Sequence, residues 1–258
     1  MEKIKITNIA AVGIIYRAFR PDQIFLEMKD GGHPIKLVRH QLCFIGGNWI
    51  GEAAKQDGNT LATFRRELNE ELSFERQIRN SAELTQMGMA EAATFAPTPS
   101  SGVLVTYEDH WNLKYLKNTI CRSAVAFGDY MNTVPKSALD AADPGNTRDG
   151  FTSLASYWTI GLNEDDWHAL RALQKKFGNL SSESITMVTS LDEIVRTGTN
   201  TAFAHDRVLR RFFLANDLVD ANFLPLVPGL KSVPAGMPLP SYTAYLERYD
   251  VERTPPPF

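Results

Sequence analysis

Apolar side chains recur at spacings of three and four between residues 61 and 72, at Leu61, Phe64, Leu68 and Leu72. That period predicts a helix over Leu61 to Leu72 with one stripe packed on a core. Asn59 or Thr60 stands where it caps the first turn. The upstream segments KIKITNIAAVGIIYR, QIFLEMK and IKLVRHQLCFI read as strands, broken at Gly31-Gly32 and Gly46-Gly47. From about 83 to 162 the chain is read as strands and loops, with Ile120 to Phe127 a strand. Turns are expected at APTPSSG (96–102) and DPGNTRDG (143–150). Two later helices are expected, Glu164 to Phe177 and Ala202 to Asn216, with SITMVTSLDEIV between them as a strand followed by a turn of helix. Strands on both sides of a helix, followed by more helices, point to the α/β class and a mixed sandwich.

The 258 residues suffice for one large domain or two small ones. Net charge is −3, without the basic excess of a sequence-independent nucleic-acid binder, so no nucleic-acid partner is expected. No apolar run approaches the roughly 18 residues of a membrane span, and no membrane partner is expected. The N-terminal MEKIKITNIAAVGIIYRAF is interrupted by Thr7, Asn8, Arg17 and Arg20 and reads as a strand rather than a signal peptide. The two cysteines, Cys43 and Cys121, lie in apolar stretches and are expected as buried reduced thiols, in keeping with a cytoplasmic location.

The most informative segment is Arg66-Glu67-Leu68-Asn69-Glu70-Glu71-Leu72. On a helix Glu67 and Glu71 lie one turn apart on the same side, with Glu70 their neighbour and the apolar stripe pointing elsewhere. Three carboxylates so placed repel one another, and they sit toward the helix C-terminus, where negative charge is unfavourable. A divalent cation reverses the sign of that cost, because Mg²⁺ takes hard oxygen ligands and keeps positions for substrate phosphates. The plainer reading is a solvated acidic face in which Arg66 pairs with Glu70 at i+4. A strand running into a Gly-rich stretch, Phe44-Ile45-Gly46-Gly47-Asn48-Trp49-Ile50-Gly51-Glu52, precedes the helix. Glycines there permit a close approach of backbone to phosphate, or a tight turn.

Together these residues resemble the Nudix box of the Nudix hydrolases, in which Gly, five residues, Glu and seven residues lead to Arg-Glu-U-x-Glu-Glu-x-Gly-U. Arg66, Glu67, Leu68, Glu70 and Glu71 fill the second half, and Phe74 takes the last apolar position. Four residues separate Gly47 from Glu52 and thirteen separate Glu52 from Arg66, and Ser73 stands at the closing glycine. The added residues, around Ala54 to Asn59, lengthen the loop before the helix, a change that loop entropy tolerates. Leu42 to Gly47 and Thr189 to Ile194 resemble the strand entering the box and the closing strand-to-helix segment.

The resemblance implies a Nudix-type α/β/α sandwich with a mixed sheet over residues 1–220. The Pro-rich extension, 221–258, holds eight of the fourteen prolines and is expected to pack on the domain or on a partner subunit. By the same resemblance the chain hydrolyses a pyrophosphate bond in a nucleoside diphosphate linked to another moiety. Mg²⁺ or Mn²⁺ would sit on Glu67, Glu70 and Glu71, with Glu71 positioning or deprotonating the water. Arg66 would orient a glutamate, and Gly46 and Gly47 would meet substrate. The alternative is a catalytically weak or inactive Nudix-fold module that binds a nucleotide or a protein, and a third reading is an unrelated α/β domain with an acidic helix; a homodimer is compatible with the first two.

Other residues carry less. Glu183 stands where a distant acid of such a site could sit, although a surface-loop role is favoured; Asp109, Asp192 and Glu193 are weaker rivals. His33, His40, His110, His168 and His205 show no metal-ligand spacing and read as structural or surface groups. Ser100-Ser101-Gly102 lacks a nucleophile elbow and reads as a turn. Trp49 and Trp111 are of the type that stacks a base, with core or rim packing the favoured role.

Overall fold

The computed structural model describes residues 3–49, 57–74, 105–181, 184–197, 201–219 and 232–251. Its centre is an eight-stranded mixed sheet. Strand β2 (Asn8–Arg17) pairs in parallel with β7 (Phe151–Leu162) along its whole length, from Asn8↔Ser153 to Arg17↔Leu162. Its other edge is divided. Ala10–Gly13 pair with β5 (Ile45–Asn48), and Ile15–Arg17 pair with β3 (Arg20–Lys29). β3 then diverges and pairs with β4 (Leu42–Cys43) at Glu27↔Cys43 and with β8 (Ser184–Ser190) along Gln23–Lys29. The sheet therefore forks between β2 and β3, and residues 42–48 fill the fork. β6 (Ala124–Val134) lies antiparallel to β7 and is followed outward by β9 (Ser232–Gly236).

Helices cover both faces, which makes the fold an α/β/α sandwich. β2 shows why: Ala11 and Ile15 point to one core and Val12 and Ile14 to the other. A strand buried on both sides reads as a nearly continuous apolar run, as NIAAVGIIY does. The first core is closed by α1 (Thr60–Glu71), α2 (Tyr107–Arg122) and α4 (Glu164–Phe177), through Phe64, Leu68, Ile120 and Leu170 among others. α3 (Lys136–Ala142) covers a smaller cluster with Val38 and Val134. The second core is closed by α5 (Leu191–Thr197) and α6 (His205–Ala215), through Ile194, Val208, Leu209, Phe212 and Phe213. Gly13 sets the approach of α1, because a Cβ there would lie 2.5 Å from the Phe64 ring. No helix among the described residues is long and apolar enough to cross a membrane.

Four local expectations are corrected. The strand expected from Ile120 starts at Ala124, because Ile120 lies in the last turn of a helix: Thr106 and Asp109 form a reciprocal capping box, and Leu113, Leu116 and Ile120 then repeat at helical spacing against the first core. Gly46-Gly47 lies inside β5 rather than breaking a strand, and Lys36–Val38 forms a 3₁₀ turn. The helix expected from Ala202 begins at His205, because Phe203 and Ala204 take left-handed backbone angles.

Beyond β9, α7 (Tyr242–Arg248) and β10 (Asp250–Val251) return the chain to its start, where β10 pairs in parallel with β1 (Lys5–Ile6). Tyr242, Tyr245 and Tyr249 pack against Ile6, Ile9 and Leu154. The Tyr245 hydroxyl donates to buried Asp129 on β6, at 3.0 and 3.1 Å, and Ser156 Oγ on β7 donates to the same carboxylate at 2.7 Å.

Burial pushes the Asp129 carboxyl up to about 6, with the Ser156 and Tyr245 hydroxyls and the charge of Arg248 opposing. The folded chain therefore binds this proton more tightly than the unfolded chain, and its stability falls as pH rises from the unfolded value, near 4, through about 6. The expected loss is roughly 2–3 kcal/mol across that window. Urea midpoints measured through it should fall for the native chain, whereas Asp129→Asn should remove most of the slope. An unchanged slope would place the titration elsewhere.

Candidate active site

Helix α1 runs beside the fork. Its N-terminus is fixed by Asn59, whose side chain accepts from the Ala62 amide at 2.9 Å. Phe64 and Leu68 face the sheet, which turns Arg66, Glu67, Glu70 and Glu71 along the border with β5. Glu67 lies flat against that strand. A Cβ on Gly47 would come within 2.3 Å of its Oε2, so the missing side chain of Gly47 is the seat of the Glu67 carboxylate.

Arg66 lies between the acids. Its Nη1 donates to Glu67 Oε1 at 2.7 Å and to Glu70 Oε2 at 3.0 Å, its Nε to Asp57 Oδ2 at 3.0 Å, and its Nη2 to the Asn48 carbonyl at 2.8 Å. Burial disfavours its charge, but Glu67 and Asp57 outweigh that and hold the guanidinium above its ordinary range. The i+4 pairing with Glu70 is thus present, inside a four-acceptor arrangement. Asp57 belongs to the loop that leads into α1, so that loop supplies one of the partners of Arg66.

Glu71 differs from its neighbours. Its residue is 3 % exposed, against a 36 % exposed side chain for Glu70. Its Oε2 accepts the Gly46 amide at 3.0 Å, and its Oε1 lies 3.7 Å from Lys29 Nζ. Burial, together with the charges of Glu27 and Glu67, pushes its carboxyl well above the usual range, while Lys29 and the Gly46 amide oppose. Lys29 also pairs with fully buried Glu27. Glu27 Oε1 accepts from the Cys43 thiol at 3.3 Å, and its Oε2 accepts from the Ser184 hydroxyl at 2.5 Å. Burial disfavours the Lys29 charge, but the carboxylates of Glu27 and Glu71 beside it raise its pKa well above the ordinary value. Burial holds the Cys43 thiol protonated, with Lys29 opposing.

Glu27, Lys29 and Asp57 were absent from the sequence reading. The available signal was Glu-x-Lys inside the apolar strand QIFLEMK, since residues two apart on a strand share a face.

Among the described residues no three His, Cys, Asp or Glu side chains form a ready cage for a metal ion. The donor chemistry nevertheless suits a hard cation: Glu67, Glu70 and Glu71 supply carboxylate oxygens within one helical turn, and Gly47 leaves room for one of them against the strand.

Glu52, Glu183, Ser100, Ser101 and Gly102 lie outside the described residues. Asp109 serves the α2 cap and pairs with Lys176 at 2.7 Å, and Glu193 accepts the Ser190 amide at 3.0 Å at the start of α5; Asp192 is exposed. His205 is buried, accepts the Phe44 amide at 3.2 Å and stacks on the Phe44 ring; burial drives its pKa down to about 3. His33 Nδ1 accepts the Ile35 amide at 3.2 Å, His110 meets the Phe74 ring edge-on, and His168 is exposed. Trp49 stacks on Tyr242 with ring centres 4.3 Å apart, and Trp111 stacks on Tyr115 at the surface.

No protein-family model matches the chain, and no curated protein matches it. Several solved structures are similar to it. A Nudix hydrolase from Alicyclobacillus acidocaldarius is 11 % identical, over 81 % of this chain and 91 % of its own, with a TM-score of 0.40. A Nudix hydrolase from Nitrosomonas europaea is 10 % identical, over 84 % and 95 %, with a TM-score of 0.33. The E. coli dihydroneopterin triphosphate pyrophosphohydrolase is 11 % identical, over 81 % and 99 %, with a TM-score of 0.33. At such scores the likeness carries no statement about chemistry, which has to come from the side chains at the fork.

Proposed function

We propose that this chain is a Nudix-type hydrolase that cleaves a pyrophosphate bond in a nucleoside diphosphate linked to another moiety, with Mg²⁺ or Mn²⁺ as cofactor. The observation that carries the reading is the seat of Glu67 over Gly47, beside Glu70 and Glu71 on one turn of α1. Crowded acids with a strand cleared beneath them are what a cation site between helix and sheet requires.

In this reading Glu67, Glu70 and Glu71 hold the metal ion. When bound, a divalent ion supplies neutralisation of the diphosphate charge and a more acidic water. Arg66 fixes Glu67 and Glu70 through charge-assisted hydrogen bonds and takes no part in bond breaking. Glu71 takes the proton of the attacking water as a carboxylate held in place at the strand edge. The Gly46 amide keeps that carboxylate from turning away. Gly46 and Gly47 serve this site by the room they leave, for the Ala11 carbonyl of β2 beside Gly46 and for the Glu67 carboxylate over Gly47, rather than as an open backbone surface for a phosphate.

A panel of nucleoside diphosphate derivatives, assayed with Mg²⁺ and with Mn²⁺ for released phosphate, tests the reading, with calorimetric Mn²⁺ titration beside it. Turnover that disappears with chelator and returns with metal is the expected result. One observation favours a second reading, a binding module: Arg66 already neutralises Glu67 and Glu70, and Lys29 lies beside Glu71. Nucleotide binding with neither turnover nor Mn²⁺ uptake would select it.

A further inference from the structure

Arg66 reaches the glutamates through one end of its guanidinium and is held from behind by Asp57 and the Asn48 carbonyl. Both rear contacts lead to one residue of the C-terminal helix. The Tyr242 hydroxyl meets Thr63 Oγ1 at 2.5 Å, and Thr63 Oγ1 donates to Asp57 Oδ2 at 2.9 Å, the oxygen that also accepts Arg66 Nε. Thr63 has a single hydroxyl proton, and it goes to the carboxylate, so the Tyr242 hydroxyl is the donor to Thr63. Burial keeps that phenol protonated. On the other side the Tyr242 ring stacks on Trp49, next in sequence to Asn48. The Tyr242 amide also donates to the Gly58 carbonyl at 3.1 Å, tying α7 to the loop that carries Asp57. α7 itself is anchored in the sheet by Tyr245 on Asp129 and Ser156.

We propose that Tyr242 is a positioning residue of the carboxylate site: the C-terminal helix sets the guanidinium of Arg66, and through it Glu67 and Glu70, by the relay Tyr242 to Thr63 to Asp57 to Arg66. The inference rests on the hydrolase reading for its consequence in activity, but the relay is physical and is read without any metal or substrate. It gives the C-terminal segment a role in the site rather than only in stability. All four side chains are mostly buried, so water is a poor substitute for the lost hydroxyl.

The test uses the full chain and three variants: Tyr242→Phe, which keeps the ring and its stacking on Trp49; Thr63→Val, which cuts the relay in its middle; and the pair together. Side-chain NMR of the Arg66 Nε–H in metal-free protein is the first readout, Mn²⁺ titration the second, and kcat against KM the third. Each single variant should speed exchange of the Arg66 Nε–H and weaken Mn²⁺ uptake by about tenfold, the scale of groups that orient metal ligands. The change in activity should fall mainly on kcat. The double variant should be no worse than either single, because both remove one chain of contacts. Native exchange and native Mn²⁺ affinity in Tyr242→Phe would overturn the inference, as would losses that multiply in the double variant. Should the wild-type chain itself take up no Mn²⁺, the hydrolase reading fails, and the Arg66 exchange measurement still decides the relay.

Discussion

Glu71→Gln is expected to lower turnover by roughly 10²–10⁴-fold, the range for losing a positioned acid–base group, while the thermal midpoint stays within a few degrees of native. The two outcomes separate because of where Glu71 sits. Glutamine has the same shape, and its carbonyl oxygen still accepts the Gly46 amide, which is 3.0 Å from the native Oε2. The substitution forfeits attraction to Lys29, but it also removes a buried charge that Glu27 and Glu67 disfavour. Lys29 keeps its pairing with Glu27 and is not left alone in the interior. These changes oppose one another in stability and act together in catalysis, since neither a neutral amide nor its oxygen takes up a proton at neutral pH. Full turnover in a folded Glu71→Gln protein would remove Glu71 from the chemistry. A fold lost in Glu71→Gln would instead make its role structural.

Helix α1 was legible because its signals are local: a cap at Asn59, then Phe64, Leu68 and Leu72 at helical spacing. So was β8 running into α5, where an apolar stretch ends in Ser190 and a short acidic helix. The candidate site is legible to the extent that it is helical: the i+4 spacing predicts the Arg66–Glu70 pairing that the structure shows. What the sequence hid depends on pairing at a distance. In QIFLEMK, Glu27 and Lys29 look like the wet face of a half-buried strand; only the fork of β3 away from β2, and the pairing of β4 and β8 on its two edges, encloses them. The same enclosure buries Glu71, which stands seven residues after Phe64 and three after Leu68, at the edge of the apolar stripe rather than away from it. Asp57 comes from the loop that departs from the box pattern, and Tyr242 lies 179 positions from its partner Thr63. For α2 the signal lies in the Thr106–Asp109 capping box, while the apolar run from Ile120 to Phe127 on its own reads as a strand.

Gly46 and Gly47 should part company when each becomes alanine. Gly46 has φ +141°, a region that side-chain-bearing residues rarely enter, and a Cβ there would stand 2.1 Å from the Ala11 carbonyl oxygen. That oxygen belongs to central strand β2, which has no freedom to retreat, because β7 pairs with its opposite edge along the whole strand. Gly46→Ala therefore has to expel β5 from the fork and take the amide partner of Glu71 with it, at a cost of at least about 3 kcal/mol. The next residue meets something softer. A Cβ on Gly47 collides only with the far end of the Glu67 side chain, at 2.3 Å from Oε2, and that end can swing outward by rotation about its own bonds. Gly47→Ala should therefore fold with a midpoint within a few degrees of native and lose Mn²⁺ affinity by about 10–100-fold, as expected when a ligand is displaced from its seat. Denaturant midpoints and Mn²⁺ titrations on the two variants read these outcomes separately. A stable Gly46→Ala would contradict the Val12↔Gly46 register, and native Mn²⁺ uptake in Gly47→Ala would mean that the place of Glu67 against the strand has nothing to do with a cation.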